Sequence, residues 1–249
     1  MEVTAFNNGS YATDTTAPQF FVSWQYEQGP ATQPVHAFPN IKVDGNVFPV
    51  TMGSVSKINV DVEWTYGVGN ETAASTDEAA LTANSVNTNV AIDMFLDSDK
   101  DSAEDSSKAK FEVMVWLAAF GAATQPIGLS AGAVTTATVN GTTLYGNPFS
   151  QYLKLPHLHL LTAAHSSLYT GQNSLDQYVL TWYATSTTEK FHGDIAPLIT
   201  KLTTLSGGTY PTEDDYLGYM GLGSEALYAT QPTTFYVPQL SIDIETTSS

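Results

Sequence analysis

Cysteine is absent from this chain and cations are scarce: lysine and arginine together number 8, against 25 aspartates and glutamates. Without a thiol there is no disulfide framework, no thiolate metal site and no cysteine nucleophile. The formal charge of −17 repels nucleic acid and anionic membranes, so neither is expected as a partner and a neutral one fits better. Long apolar runs are missing too. No stretch is long enough to span a bilayer, and Met1-Glu2-Val3 has neither the basic start nor the apolar core of a signal peptide, so the chain as it stands is expected to be soluble.

What is plentiful is strand material. Thr, Val, Tyr, Phe and Trp abound, Gly and Pro punctuate at short intervals, and only 13% of residues are charged, which points to an all-β fold. No low-complexity break divides the 249 residues, and sandwiches of this size form one unit, so a single domain over 1–249 is expected. Alternating runs bounded by turn residues predict strands at Gln19 to Tyr26, Ile58 to Tyr66, Asn89 to Leu96, Phe111 to Leu117, Val134 to Val139, Gln177 to Tyr183, Tyr216 to Leu222 and Phe235 to Ile244. One short helix is expected near Asp194, where Ile195, Leu198, Ile199 and Leu202 recur at helical spacing before Gly207-Gly208. The acidic, Ser-rich stretch from Asp97 to Asp105 reads as a solvated hairpin loop.

The segment 146–166 breaks the strand rhythm and holds His157, His159 and His165. An His-x-His pair can chelate zinc, but no nearby carboxylate or cysteine completes the set, so no metal is expected. The segment reads as an insertion that leaves the surface of an otherwise continuous sandwich.

Chemistry is concentrated in three places. In Phe111-Glu-Val-Met-Val-Trp-Leu117 the alternation sends Phe111, Val113, Val115 and Leu117 to one face and Glu112, Met114 and Trp116 to the other. A carboxylate beside a thioether and an indole suits a sugar ring, although a half-buried strand also carries a lone glutamate without any function. Glu225, in Gly221-Leu-Gly-Ser-Glu225, is in phase with Tyr219, Gly221 and Gly223, and the glycines are expected to leave room beside it. By itself it reads as readily as an exposed strand-end glutamate. Asp93, in phase with Ala91 and Phe95, faces the same groove if its strand neighbours that of Glu112; otherwise it is a strand aspartate bonded to a loop.

Together these motifs resemble glycoside hydrolase family 12. Phe111-Glu-Val-Met-Val-Trp-Leu117 with Gly121 is similar to the family's nucleophile strand, and Val90-Ala-Ile-Asp-Met-Phe95 to the strand whose aspartate hydrogen-bonds the nucleophile. Gln125-Pro-Ile-Gly128 is similar to the loop crossing the groove, and Leu168-Tyr-Thr-Gly171, Leu180-Thr-Trp182, Phe191-His-Gly-Asp194 and Gly223-Ser-Glu225 follow in family order.

The resemblance implies a β-jelly-roll sandwich of two antiparallel sheets with a concave groove and one short helix. It implies a retaining endo-β-1,4-glucanase with Glu112 as nucleophile, Glu225 as general acid/base and Asp93 beside the nucleophile, the two glutamates being about 5 to 5.5 Å apart. Trp24, Met114, Trp116 and Pro126 would bind substrate, although Trp24 and Tyr26 read equally as core. No cofactor is implied. The partner would be a β-glucan polysaccharide, linear or xyloglucan, acted on outside the cell by a monomer.

Two departures stand out. The family's Pro-Phe after the acid/base is Ala226-Leu227 here, and its N-terminal Asn-Asn-Leu-Trp-Gly, with a sugar-stacking tryptophan, survives only as Phe6-Asn-Asn-Gly9. The N-terminal strands are therefore expected to be incomplete. They also raise the alternative of a non-catalytic glucan-binding homologue or decoy.

Overall fold

Strand alternation builds two sheets. The computed structural model describes residues 1–44, 46–140 and 163–247. The outer sheet runs in the order β1 (Glu2–Ala5), β2 (Phe20–Trp24), β14 (Thr233–Thr246), β5 (Val55–Val68) and β11 (Lys190–Asp194). The inner sheet runs β3 (Asn40–Lys42), β12 (Tyr216–Gly223), β6 (Asn87–Asp97), β7 (Phe111–Phe120), β10 (Tyr178–Ala184), β9 (Ala163–Gln172) and β8 (Thr135–Asn140). Two short strands join it: β4 (Val50–Thr51) on β12 and β13 (Ala226–Tyr228) on β6. Each strand expected from the alternation is present. Among the described residues pairing is antiparallel except between β7 and β10, which run parallel, so the inner sheet is not wholly antiparallel as expected.

The core lies between the sheets. From the outer one, β5 sends in Ile58, Val60, Val62, Trp64 and Tyr66, all buried, while the residues between them are less covered. Each inward Val or Ile is stabilised by about 1.5–3 kcal/mol of burial, enough to fix the register, because a one-residue slip would expose the whole set. The inner strands β6 and β7 are buried on both faces. One face packs against the core, and on the other Glu112, Met114 and Trp116 of β7 floor a cavity.

The helix expected near Asp194 is α3 (Ala196–Thr203), with Leu198, Ile199 and Leu202 buried. Asp194 Oδ1 accepts from both Ala196 N–H and Ile58 N–H at 2.9 Å, tying the helix start to β5. Two shorter helices escaped the sequence reading. In α1 (Glu78–Ala83) only Leu81 is buried, so no apolar period is visible. The second, α2 (Lys100–Ala103), corrects the view of 97–105 as a wholly solvated loop. Asp99 caps it by accepting Ser102 N–H, and Ala103 is fully buried against β12 where Gly218 has no side chain to block it.

The expected insertion at 146–166 falls outside the described residues except for its last positions, whose backbone belongs to β9. Among the described residues no helix is long and apolar enough to cross a membrane.

Candidate active site

The register of β6 on β7 sets Phe95 opposite Glu112, Asp93 opposite Met114 and Ala91 opposite Trp116. Glu112, Met114 and Trp116 share one face of β7, while Phe111, Val113, Val115 and Leu117 belong to the main core. Met114 and Trp116 form a second, smaller apolar cluster with Ala91 and Val179. Trp116 Nε1 donates to Met114 Sδ at 3.3 Å, which fixes the indole.

Glu112 Oε2 accepts from Asn173 Nδ2 at 2.9 Å. Asn173 is itself held firmly, its Oδ1 accepting from Leu175 N–H and Gln177 N–H. The buried Gln177 then donates to the carbonyls of Ser106 and Ala109. The donor to Glu112 therefore arrives pre-oriented.

Glu225 lies at the break between β12 and β13, and Asn89 grips it twice. Asn89 Oδ1 accepts Glu225 N–H at 2.8 Å, and Asn89 Nδ2 donates to Glu225 Oε2. Because the amide oxygen is committed to the backbone, only the NH₂ can meet the carboxyl. Oε2 is thus the accepting oxygen, and a proton on this acid resides on Oε1. The glycines before it do not leave open room, as the sequence suggested: a Cβ on Gly223 would meet Pro39 and Asn40, so this position lets the 37–42 segment lie close across the strand.

The change from Pro-Phe to Ala226-Leu227 has a structural consequence. Ala226 N–H donates to Ala37 O at 2.8 Å, a bond proline cannot make, and His36 N–H returns one to Ala226 O at 2.9 Å. This bridge anchors the loop 31–35, which forms a wall of the cavity.

Burial pushes up all three carboxyl groups. Asp93 is raised well above the usual carboxylate range, first by burial and then by the charges of Glu112 and Glu225. Its Oδ1 is buried with no hydrogen-bond partner, so the bond to the nucleophile that the resemblance implied is not made by this atom, and Asn173 bonds Glu112 instead. Glu225 is pushed up to about 8 by burial and by Glu112, against the opposing pull of the Asn89 hydrogen bond. Glu112 is raised by burial and drawn back by Asn173. Three such groups cannot all be charged in one dry site. The repulsion among them is mutual; Glu112 is raised by burial with the Asn173 hydrogen bond drawing it back, while Glu225 is pushed up to about 8, so Glu112 is the member best suited to ionise.

Glu112, Met114, Trp116 and Glu225 line one cavity of about 400 Å³ together with Asn173 and the loop 31–35. Two expected binding residues are placed elsewhere. Trp24 is 2% exposed: the alternation of β2 turns it inward with Phe20 and Val22, and its indole donates to Tyr66 OH at 2.6 Å, so of its two readings the core one holds. Pro126 is buried, and its neighbours Gln125 and Ile127 reach the cavity instead. Phe6 packs on Phe21 and Tyr236 of the outer sheet, away from this cavity.

His157 and His159 fall outside the described residues, as does the side chain of His165. Among the described residues no cluster of histidine and carboxylate side chains is suited to a metal. Asn89 and Asn173 escaped the sequence reading. Asn89 carried one usable signal, its phase with Asp93, whereas Asn173 sits in a turn with no period.

Residues 4–245 match the model of glycosyl hydrolase family 12. The xyloglucan-specific endo-beta-1,4-glucanase A of Aspergillus niger is 31% identical over 201 residues, covering 76% of this chain and 64% of the relative. The enzyme of the same name from Aspergillus aculeatus is 28% identical over 236 residues, covering 95% of this chain and 76% of its own. The chain thus spans just under two thirds of the length of the Aspergillus niger relative. Among solved structures, Trichoderma harzianum endoglucanase 3 superposes with a TM-score of 0.67 at 20% identity, over 98% of this chain and 83% of the other. The Humicola grisea Cel12A catalytic domain, in complex with a thio cellotetraose, gives 0.67 at 19% identity, over 97% and 84%. At these identities the structural likeness speaks for the fold.

Proposed function

The chain belongs to glycosyl hydrolase family 12, and on that premise we propose that it is a retaining endo-β-1,4-glucanase in which Glu112 is the nucleophile and Glu225 the general acid/base. The observation that carries the reading is the paired environment: two glutamates on one cavity, one driven towards the protonated form and the other best placed to ionise.

In the first step Glu112 attacks the anomeric carbon while Glu225 passes its proton to the departing glycosidic oxygen, which leaves as a free hydroxyl. General acid assistance of this kind contributes about 10²–10⁴-fold. In the second step the now ionised Glu225 takes a proton from water, whose oxygen attacks the same carbon and releases Glu112. Two inversions give net retention. Asp93, opposite Met114 and held neutral by burial and by the charges of the two glutamates, keeps a third negative charge away from the pair.

A cavity walled by loops and floored by Met114 and Trp116 suits a neutral chain of sugar rings entering mid-polymer. The relatives' printed names make xyloglucan the first substrate to test, with linear β-1,4-glucan second. A polymer of this kind places the protein's action outside the cell, and nothing in the proposed chemistry calls for a second subunit.

The test is NMR of the first anomer released from a soluble β-glucan, with Glu112→Gln as control. The β-anomer appearing first, and no product from the control, supports the proposal. An α-anomer first would overturn the retaining assignment. Glucan retained in affinity electrophoresis with no new reducing ends would instead identify a binding homologue.

A further inference from the structure

Four polar side chains form a continuous line through the apolar core behind Glu225. Trp24 Nε1 donates to Tyr66 OH at 2.6 Å, and Tyr66 OH lies 3.0 Å from Ser224 Oγ and 3.2 Å from Thr88 Oγ1. Ser224 Oγ and Thr88 Oγ1 are 2.8 Å apart, and Thr88 Oγ1 donates to the carbonyl of Glu225 at 2.6 Å. Each of these four side chains is 2% exposed or less.

The direction of the line follows from its ends. An indole N–H can only donate, so Tyr66 accepts from Trp24 and must send its own hydrogen onward. At the far end the hydrogen of Thr88 goes to Glu225 O, the shortest of its contacts at 2.6 Å, so Thr88 accepts from Ser224 or Tyr66 rather than donating to them. Burial pushes the Tyr66 phenol up to about 12, so it keeps its hydrogen across the working range. Polarity therefore runs from the outer sheet to the acid/base.

Thr88 and Asn89 are consecutive on β6 and face opposite sides of the inner sheet. Thr88 holds the carbonyl of Glu225 from the core side, while Asn89 holds its N–H and carboxyl from the cavity side. An apolar set of the same shape would fill this space at little or no cost in stability, so the contribution of these groups is placement. Resting on the acid/base assignment above, we propose that Trp24, Tyr66, Ser224 and Thr88 are positioning residues for Glu225, holding the strand break so that its carboxyl meets Asn89 and the substrate in one fixed orientation.

The experiment uses Tyr66→Phe, Thr88→Val and the hydroxyl-preserving Thr88→Ser, with Ser23→Ala as control. Ser23 is also buried, and its hydroxyl bonds Thr234 at 2.7 Å away from the site. The full chain is assayed for Tm, kcat, KM and pH profile on soluble β-glucan. Tyr66 does not line the cavity, yet its Phe variant should lose about tenfold in kcat with KM within about twofold, because small misplacement of a reacting group is costly. The alkaline limb should move up in pH, since a slackened Asn89 bond no longer favours the ionised carboxylate. Thr88→Val should lose more, Thr88→Ser should recover most of the loss, and the Tyr66→Phe/Thr88→Val pair should be little worse than Thr88→Val alone. Ser23→Ala should lower Tm and leave the profile in place.

If Tyr66→Phe and Thr88→Val match Ser23→Ala in kcat and pH profile while Glu225→Gln is inactive, the positioning role is overturned and the acid/base assignment stands. If Glu225→Gln keeps its activity, the assignment itself has failed and the positioning role falls with it.

Discussion

Glu112 and Glu225 share a cavity but are held by different kinds of structure. Glu112 is the second residue of β7, already paired on both sides with Phe95 of β6 and Val179 of β10, and the alternation of the strand dictates its direction. Glu225 sits where β12 has ended and β13 has not begun, and it is fixed by Asn89, Thr88 and the bridge from Ala226 to Ala37. A carboxylate on a regular strand is placed by local geometry, whereas one at a strand break is placed by tertiary hydrogen bonds. The electrostatics differ accordingly. Asn173 is the hydrogen bond drawing Glu112 down, while Glu225 is pushed up to about 8 despite the pull of Asn89.

The largest effects should come from removing either acid. Glu112→Gln and Glu225→Gln should each lower kcat/KM by about 10³-fold or more with folding nearly intact. Azide should separate them: with Glu225→Ala it yields a glycosyl azide of retained configuration on an activated substrate, and with Glu112→Ala one of inverted configuration. Full activity in either Gln variant removes the comparison altogether.

Next in size are the two asparagines. Each lowers the pKa of the acid it touches, so each Ala variant should raise that pKa, and the pH profile reads the two apart. Asn89→Ala should cost about 10- to 100-fold in kcat and extend the alkaline limb upward, because Glu225 then stays protonated longer. Asn173→Ala should cost less, about fivefold, and move the acidic limb upward, because Glu112 then ionises later. One variant broadens the profile and the other narrows it. Movement of the same limb in both would collapse the distinction.

Smaller is a trade between stability and charge. All three carboxyls are raised in the folded protein, so the native state binds more protons than the unfolded chain. This contribution is fully present below the ordinary carboxylate pKa and is lost as pH rises towards the value of about 8 for Glu225. The Tm should therefore fall between about pH 5 and 8, with a flatter slope in Glu225→Gln than in wild type. An equal slope would place the titrating group elsewhere.

Smallest of all, Ala226→Pro should remove one hydrogen bond and cost about 1 kcal/mol, with KM rising more than kcat falls, because Ala37 tethers the loop that walls the cavity. Chemical denaturation and initial rates check this.

The same contrast explains what could be read beforehand. The β7 pattern named Glu112, Met114 and Trp116 as one face because strand periodicity survives folding unchanged. It also gave β5, β6 and β14, whose alternation is long. Trp24 illustrates the limit: its strand was legible and it is in phase with Phe20 and Val22, but Phe21 on the other face left open which side the partner sheet covers, and in the fold the core claims it. Pro126 failed for a related reason, since a crossing loop exposes some residues and buries their neighbours without a period. Asn89, Asn173 and the loop 31–35 act through contacts between distant segments, and the short helices α1 and α2 bury too little to show a pattern. The family resemblance, rather than the spacing, singled out Glu225.

The most direct test of the account is to trap the intermediate. A 2-deoxy-2-fluoro cellobioside or xyloglucan oligosaccharide with a good leaving group should accumulate a glycosyl-enzyme, and peptide mass mapping should place the sugar on Glu112. A label on Glu225 would reverse the two roles, and complete turnover with inverted product and no labelled peptide would contradict the mechanism.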